Sequence, residues 1–308
     1  MNIWEQQARN RRNTVLLIVL FVAVLAALGY AADWYFGSGD VPVLTLIALL
    51  WAVGQAAVGY FFGDTIALAL SKARPVTGAT FAEQQLRNVT EEMAIAAGIP
   101  MPKLYIIPDP DPNAFATGRS PRHASIAVTE GLLRMLSRDE LQAVVAHEIG
   151  HIRNYDIRLM TLVAILLGSV LLLADIIRRS LFWGMGRRDR RGEANLVLLL
   201  LWLLISILTP IAAYLIAMAV SRQREYYADA TSAELTRNPE ALIRALQKIA
   251  AAVQPTTAIP QSLAHMCIED PQGRPINEKS GFWSELFATH PPLHKRIEAL
   301  RRMAYLQA

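Results

Sequence analysis

The residue types best placed to do chemistry are His147, Glu148 and His151, in the run His147-Glu148-Ile149-Gly150-His151. Residues four apart project from one face of a helix, so two imidazoles at this spacing can hold one metal ion. Glu148, one position beyond the first histidine, can reach a water on that ion and take its proton as the water attacks a carbonyl. Zinc is the expected metal, one per chain, because it favours imidazole and carboxylate ligands and keeps a position open for water in catalytic sites. The alternative is a pair of ordinary helical histidines; with six histidines in the chain, the spacing argues against it.

Two histidines leave a catalytic zinc one protein ligand short. Glu225 is the candidate, in the segment SRQREYYADA that continues an apolar run as helix, with Asp229 one turn later on the same face. A solvated charge cluster is the other reading of that segment. Asp229 can orient a ligating imidazole through its free N–H, and Asp156 is its rival for that task.

These groups must be positioned by helices. Ser137 and Glu140 form the pattern of a capping box, which opens a helix running through Leu141, Val144, Val145 and Ile149 and carrying the histidines. Upstream, residues 81–97 read as an amphipathic helix, with Leu86, Val89, Met93 and Ala97 at helical spacing and Gly98-Ile99-Pro100 ending it. Residues 103–107, 124–128 and 114–117 are short β-prone runs between turn residues, which together predict a small sheet.

The composition, 53% hydrophobic against 18% charged, is too apolar for an ordinary soluble protein. Runs 13–32, 41–63 and 194–221 carry no charge, and each has the ~20 residues that a helix needs to cross a bilayer. A fourth, 159–174, lies between Arg158 and Asp175 and falls just under the usual minimum of about 17 residues. It begins a few residues after His151, so at ~1.5 Å per residue the chemistry sits within about 10 Å of the membrane. The first run follows Arg9, Arg11 and Arg12 in the manner of a signal peptide, but its length and the second run behind it favour a retained anchor.

Arg9, Arg11 and Arg12, then Lys72 and Arg74, flank the first two runs, whereas their link carries Asp33 and Asp40. Both outer ends of this hairpin are therefore expected in the cytoplasm. A net charge of +4 without a basic, aromatic-rich patch argues for a membrane surface and against nucleic acid. The only cysteine, Cys267, excludes an intrachain disulfide and suits a reducing compartment or a small buried hydrophobe. The expected organisation is a transmembrane hairpin over 1–63, a first part of the catalytic domain over 64–156, a second hydrophobic hairpin over 157–221, and a second catalytic part over 222–308.

With NAFATG at 113–118, AVTEGLL at 127–133, HEIGH, SRQREYYADA and THPPLHKRIEALR at 289–301, the chain resembles the HtpX family of bacterial membrane zinc metallopeptidases, relatives of the zinc proteases that trim prenylated CAAX proteins. The resemblance implies an α+β, multi-pass helical membrane protein with a mainly helical, gluzincin-like protease domain and a small β-sheet. It also implies His147, His151 and Glu225 as zinc ligands, Glu148 as catalytic base, and a cytoplasmic site in the inner membrane that clears misfolded membrane proteins under stress.

The same resemblance implies that Asn113 and Phe115 line the cleft on an edge strand that pairs with extended substrate. The alternative is a turn with Phe115 as a core anchor. His290 is implied as a donor to the oxyanion, or else marks only the start of the last helix.

One feature runs against expectation. Arg178, Arg179, Arg187, Arg188, Arg190 and Arg191 lie between the last two apolar runs, so if both runs cross, this link is outside, against the positive-inside tendency. Glu225 and His151 must reach one zinc, so the two runs cross together or not at all; the length of the last run favours crossing. A non-catalytic zinc scaffold, a processing protease for lipidated C-termini and a transporter are the weaker readings. Structural zinc wants four protein ligands, a lipid-processing chamber more spans, and an ion path charged residues within the spans.

Overall fold

The computed structural model describes residues 3–36, 41–184, 222–252, 258–268 and 291–307. The apolar run 194–221, the arginines at 187–191 and His290 lie outside the described residues. The long helices α1 (Ile3–Phe36) and α2 (Val43–Leu70) form an N-terminal hairpin. Both are long and apolar enough to cross a membrane, over Gln7–Ala27 and Val43–Leu70. Asp33 of α1 ties the hairpin by accepting bonds from the Leu44 and Thr45 amides, at 2.9 and 2.8 Å, and so satisfies free donors at the start of α2. Leu46, Ile47, Leu50, Trp51 and Phe62 on α2 are exposed, the surface that a bilayer rather than water tolerates.

The polar body starts with β1 (Arg74–Pro75) and α3 (Phe81–Ala97), whose end is set by Gly98 in the left-handed conformation. Then come β2 (Lys103–Ile107), β3 (Ala114–Ser120), β4 (His123–Thr129) and α4 (Glu130–Met135). The sheet order is β1-β2-β4-β3. Strands β2 and β4 run parallel and the other pairs antiparallel, which leaves β3 at an edge. The two-residue β1 has no sequence signature of its own.

Helix α5 (Arg138–Arg153) opens on the expected capping box. Ser137 Oγ accepts from the Glu140 amide and Glu140 Oε2 from the Ser137 amide, while Lys248 Nζ donates to the same Oε2 at 2.7 Å. After Asn154 the chain turns through 85° into α6 (Asp156–Gly184), with Tyr155 at φ 60° in the turn. The remaining described helices are α7 (Arg222–Thr236), α8 (Pro239–Ala251) and α9 (Leu293–Gln307), with a 3-10 turn at Gln261–Met266.

One hydrophobic core holds Leu86, Val89, Ile126, Val144 and Ile149 together with Leu242, Leu246 and Leu300, so sequence on both sides of the α6 region builds a single body. A second cluster joins Leu17 and Phe21 of α1, Ala52 of α2, and Leu159, Leu162 and Leu166 of α6. Small residues at Ala52, Ala56, Gly59 and Gly63 make one buried stripe on α2, and a Cβ at Gly63 would stand 2.6 Å from Thr161 Cγ2 on α6. That closeness is how apolar helices associate where lipid offers no hydrophobic drive.

Candidate active site

Helices α5 and α7 lie antiparallel. Ser232 Oγ donates to the Ala143 carbonyl at 2.7 Å, and Gly150 sits where a Cβ would come 3.1 Å from Ala228 Cα. The glycine between the two histidines is therefore what lets α7 approach and bring Glu225 over the α5 face. His147, His151 and Glu225 are all buried, and each offers one ligand atom within 4.8 Å of the others.

The separations test whether a metal fits. Glu225 Oε2 is 3.7 Å from His147 Nε2, and Oε1 is 3.5 Å from His151 Nε2. Both are too long for good hydrogen bonds. They are close to the ~3.3 Å edge of a tetrahedron whose corners lie ~2.0–2.1 Å from a central zinc. The donor set therefore fits a metal better than it fits a hydrogen-bonded triad.

Behind each imidazole stands a carboxylate. Asp156 Oδ2 is 3.1 Å from His151 Nδ1, and Asp229 Oδ1 is 3.0 Å from His147 Nδ1, the latter off the line of an ideal hydrogen bond. The two aspartates read as rivals in sequence thus sit one behind each histidine, which leaves Nε2 of both rings toward Glu225. Asp156 is clamped by Asn10 of α1, whose amide donates to Oδ1 at 2.6 Å and to the Asn154 carbonyl at 3.0 Å. Asp229 is gripped on both oxygens by Arg296 of α9, at 2.9 and 2.7 Å, and the same guanidinium stands 3.7 Å from Glu225.

Burial pushes the His147 imidazole below its ordinary value in spite of Asp229 beside it, favouring the neutral ring that a metal needs. Burial acts the same way on His151, but Asp156, Glu225 and Glu148 outweigh it and hold the ring up at about 9. That face therefore attracts a cation, as a proton or as a metal that displaces it. Burial raises the Asp229 carboxyl, yet the Arg296 and His147 contacts prevail and keep it below the usual carboxylate range. Glu148 is buried close enough to His151 to raise its proton affinity, as a base at the site would be.

Asn113 is buried at the start of β3, with its amide donating to Thr129 Oγ1 at 2.8 Å and its carbonyl accepting from the Thr129 amide at 2.9 Å. Phe115 is fully buried against Ile107, Ala127, Met160 and Leu263. Strand β3 is an edge strand and Phe115 a core residue at once. Part of its edge is met by the chain itself, through a Phe115–Cys267 bridge and a 2.9 Å bond from the Ile268 amide to the Ala114 carbonyl.

Asn10 and Arg296 carry no spacing signal that points to the site. A weak hint exists for Asn10, as a polar residue at the mouth of an apolar run.

The model of peptidase family M48 matches residues 81–304, which covers every side chain of this cluster except Asn10. The chain belongs to peptidase family M48. It is 45% identical over 304 residues to a protease HtpX homolog of Caldanaerobacter subterraneus subsp. tengcongensis, covering 98% of both chains. It is 43% identical over 296 residues to one from Tropheryma whipplei, covering 96% of this chain and 97% of that one. The crystal structure of S. mikatae Ste24p aligns over 96% of this chain and 66% of that chain, at 20% identity and a TM-score of 0.49. As an M48 member of the HtpX kind with two bilayer-length apolar helices, the chain is a membrane metalloprotease, a hydrolase of peptide bonds in proteins.

Proposed function

We propose that this M48 peptidase uses zinc held by His147, His151 and Glu225, with Glu148 as general base, to cut membrane or misfolded proteins from the cytoplasmic face of the membrane. The observation that carries the reading is the convergence of two imidazole nitrogens and one carboxylate within 4.8 Å, at separations suited to one tetrahedral ion. Zinc, when bound, supplies a Lewis acid that polarises the scissile carbonyl and acidifies water.

The chain's own residues do the rest. Glu148 takes the proton of the attacking water and passes it to the leaving amine. Asp156 and Asp229 fix the orientation of His151 and His147, and Asn10 and Arg296 fix the aspartates. Substrate main chain pairs along the β3 edge at positions not taken by Cys267, Ile268 and Thr161. Arg9, Arg11 and Arg12 in the first turns of α1, ahead of its charge-free stretch, and Lys72 and Arg74 after α2 favour a cytoplasmic site, where unfolded membrane-protein loops are within reach.

Elemental analysis of purified Glu225→Ala tests the ligand set. Bound zinc well below the one per chain of the parent is the expected result; a full zinc complement would remove Glu225 from the set.

A further inference from the structure

A cavity of about 260 Å³ lies between α2, the start of α6 and the tip of the β3–β4 hairpin. Its walls include Tyr60 and Phe61 of α2, Arg119 and His123 of the hairpin, and Arg158 of α6. The Arg119 guanidinium stacks over Phe61 at 5.4 Å, and Arg158 lies between the rings of Tyr60 and Tyr155, at 6.0 and 5.2 Å. Arg158 Nε donates to the Arg119 carbonyl at 2.7 Å, which locks the hairpin tip to α6 and leaves the Nη groups for other acceptors. Among the described residues, neither guanidinium is in an ion pair.

The cavity sits at a defined depth. The charge-free stretch of α2 ends at Gly63, that of α6 begins just after Arg158, and that of α1 begins just after Arg12. Arg11 of α1 and Arg158 of α6 both lie over the Tyr155 ring, and Gly63 of α2 packs on Thr161 of α6, so the three stretches give way to charge at one level, and the aromatic rings there match the composition of a headgroup layer. Asp64 also lines the cavity and offsets part of its charge. Two guanidiniums against one carboxylate leave a net positive pocket, and stacked arginines are suited to phosphate oxygens. A headgroup with its own cation is disfavoured by both arginines.

We infer that this cavity binds the phosphodiester of an anionic phospholipid, held by Arg119 and Arg158, and so fixes the hairpin tip of the protease body against the membrane surface. None of the metal-cluster side chains lines the cavity.

The test is native mass spectrometry of the detergent-solubilised full-length protein, titrated with phosphatidylglycerol, phosphatidylcholine or inorganic phosphate. The expected result is saturable phosphatidylglycerol binding, with weaker phosphatidylcholine and no inorganic phosphate retained. Arg119→Gln, which leaves the backbone acceptor of Arg158 in place, should weaken phosphatidylglycerol about fivefold, the loss expected for one cation near a lipid surface. Thr65→Trp, which crowds the cavity without removing a charge, should weaken it as well. Equal binding of the two lipids, retention of inorganic phosphate alone, or parent-like affinity in both variants would overturn the assignment.

Discussion

Behind His151, Asp156 is itself held by Asn10 at 2.6 Å, so the first transmembrane helix reaches into the site through one amide. Removing it with Asn10→Ala should loosen the imidazole and weaken zinc about 10- to 100-fold, as loss of such supporting groups does elsewhere. Competition with a chelator measures this, and an unchanged affinity would contradict the role. Arg296→Leu strips the buried Asp229 of its bidentate partner, and the uncompensated charge should cost about 3–5 kcal/mol of stability, read from unfolding in detergent. A change under about 1 kcal/mol, the scale of an exposed pair, would mean that Asp229 has other support. The histidine spacing was readable because it is local. Asn10 and Arg296 were not, because they come from helices 146 and 67 residues away from the aspartates they hold, and only the fold brings them together.

At the scale of elements, close helix contact depends on missing side chains. Gly63→Leu must push α2 from Thr161, with an overpacking cost of about 1–3 kcal/mol. Gly54→Leu on the same helix, where a Cβ meets nothing within 4 Å, should stay within about 0.5 kcal/mol of the parent. Equal melting shifts for the two would rule out tight α2–α6 packing.

The start of α3 provides a pH test. Arg74 and Thr77 hold the Glu83 carboxyl down at about 2, with the Thr77 and Gly78 amides adding to the effect. A carboxylate depressed on folding stabilises fully above its unfolded pKa of about 4.5 and loses that contribution as pH falls toward 2. The stability gap between the parent and Glu83→Gln should thus be constant above about pH 5 and close as pH falls toward 2, as followed by acid titration of unfolding. A gap independent of pH would contradict the ionised carboxylate. Capping signals and the 3.6-residue period made α3 and α5 legible in sequence. The two-residue β1 and the 85° turn at Tyr155 were not, since each depends on contacts made by distant residues.

For the whole molecule, the single hydrophobic core drawn from both halves of the sequence means that the catalytic body lies on one side of the membrane. Arg87 is exposed on that body, whereas the native thiol of Cys267 is buried. In intact cells an impermeant maleimide should leave Arg87→Cys unlabelled and react with it only after lysis; labelling before lysis would place the site outside. The two N-terminal spans were readable from apolar length alone, while the side they face is set by a few arginines.

In the proposed chemistry Glu148 is the metal-assisted base for cleavage. The most direct measurement compares zinc content and casein cleavage for the solubilised parent and Glu148→Gln. One zinc per chain is expected in both, with cleavage at least about 100-fold slower in the variant, the usual contribution of a positioned base. Parent-like cleavage by Glu148→Gln with zinc in place would contradict that role.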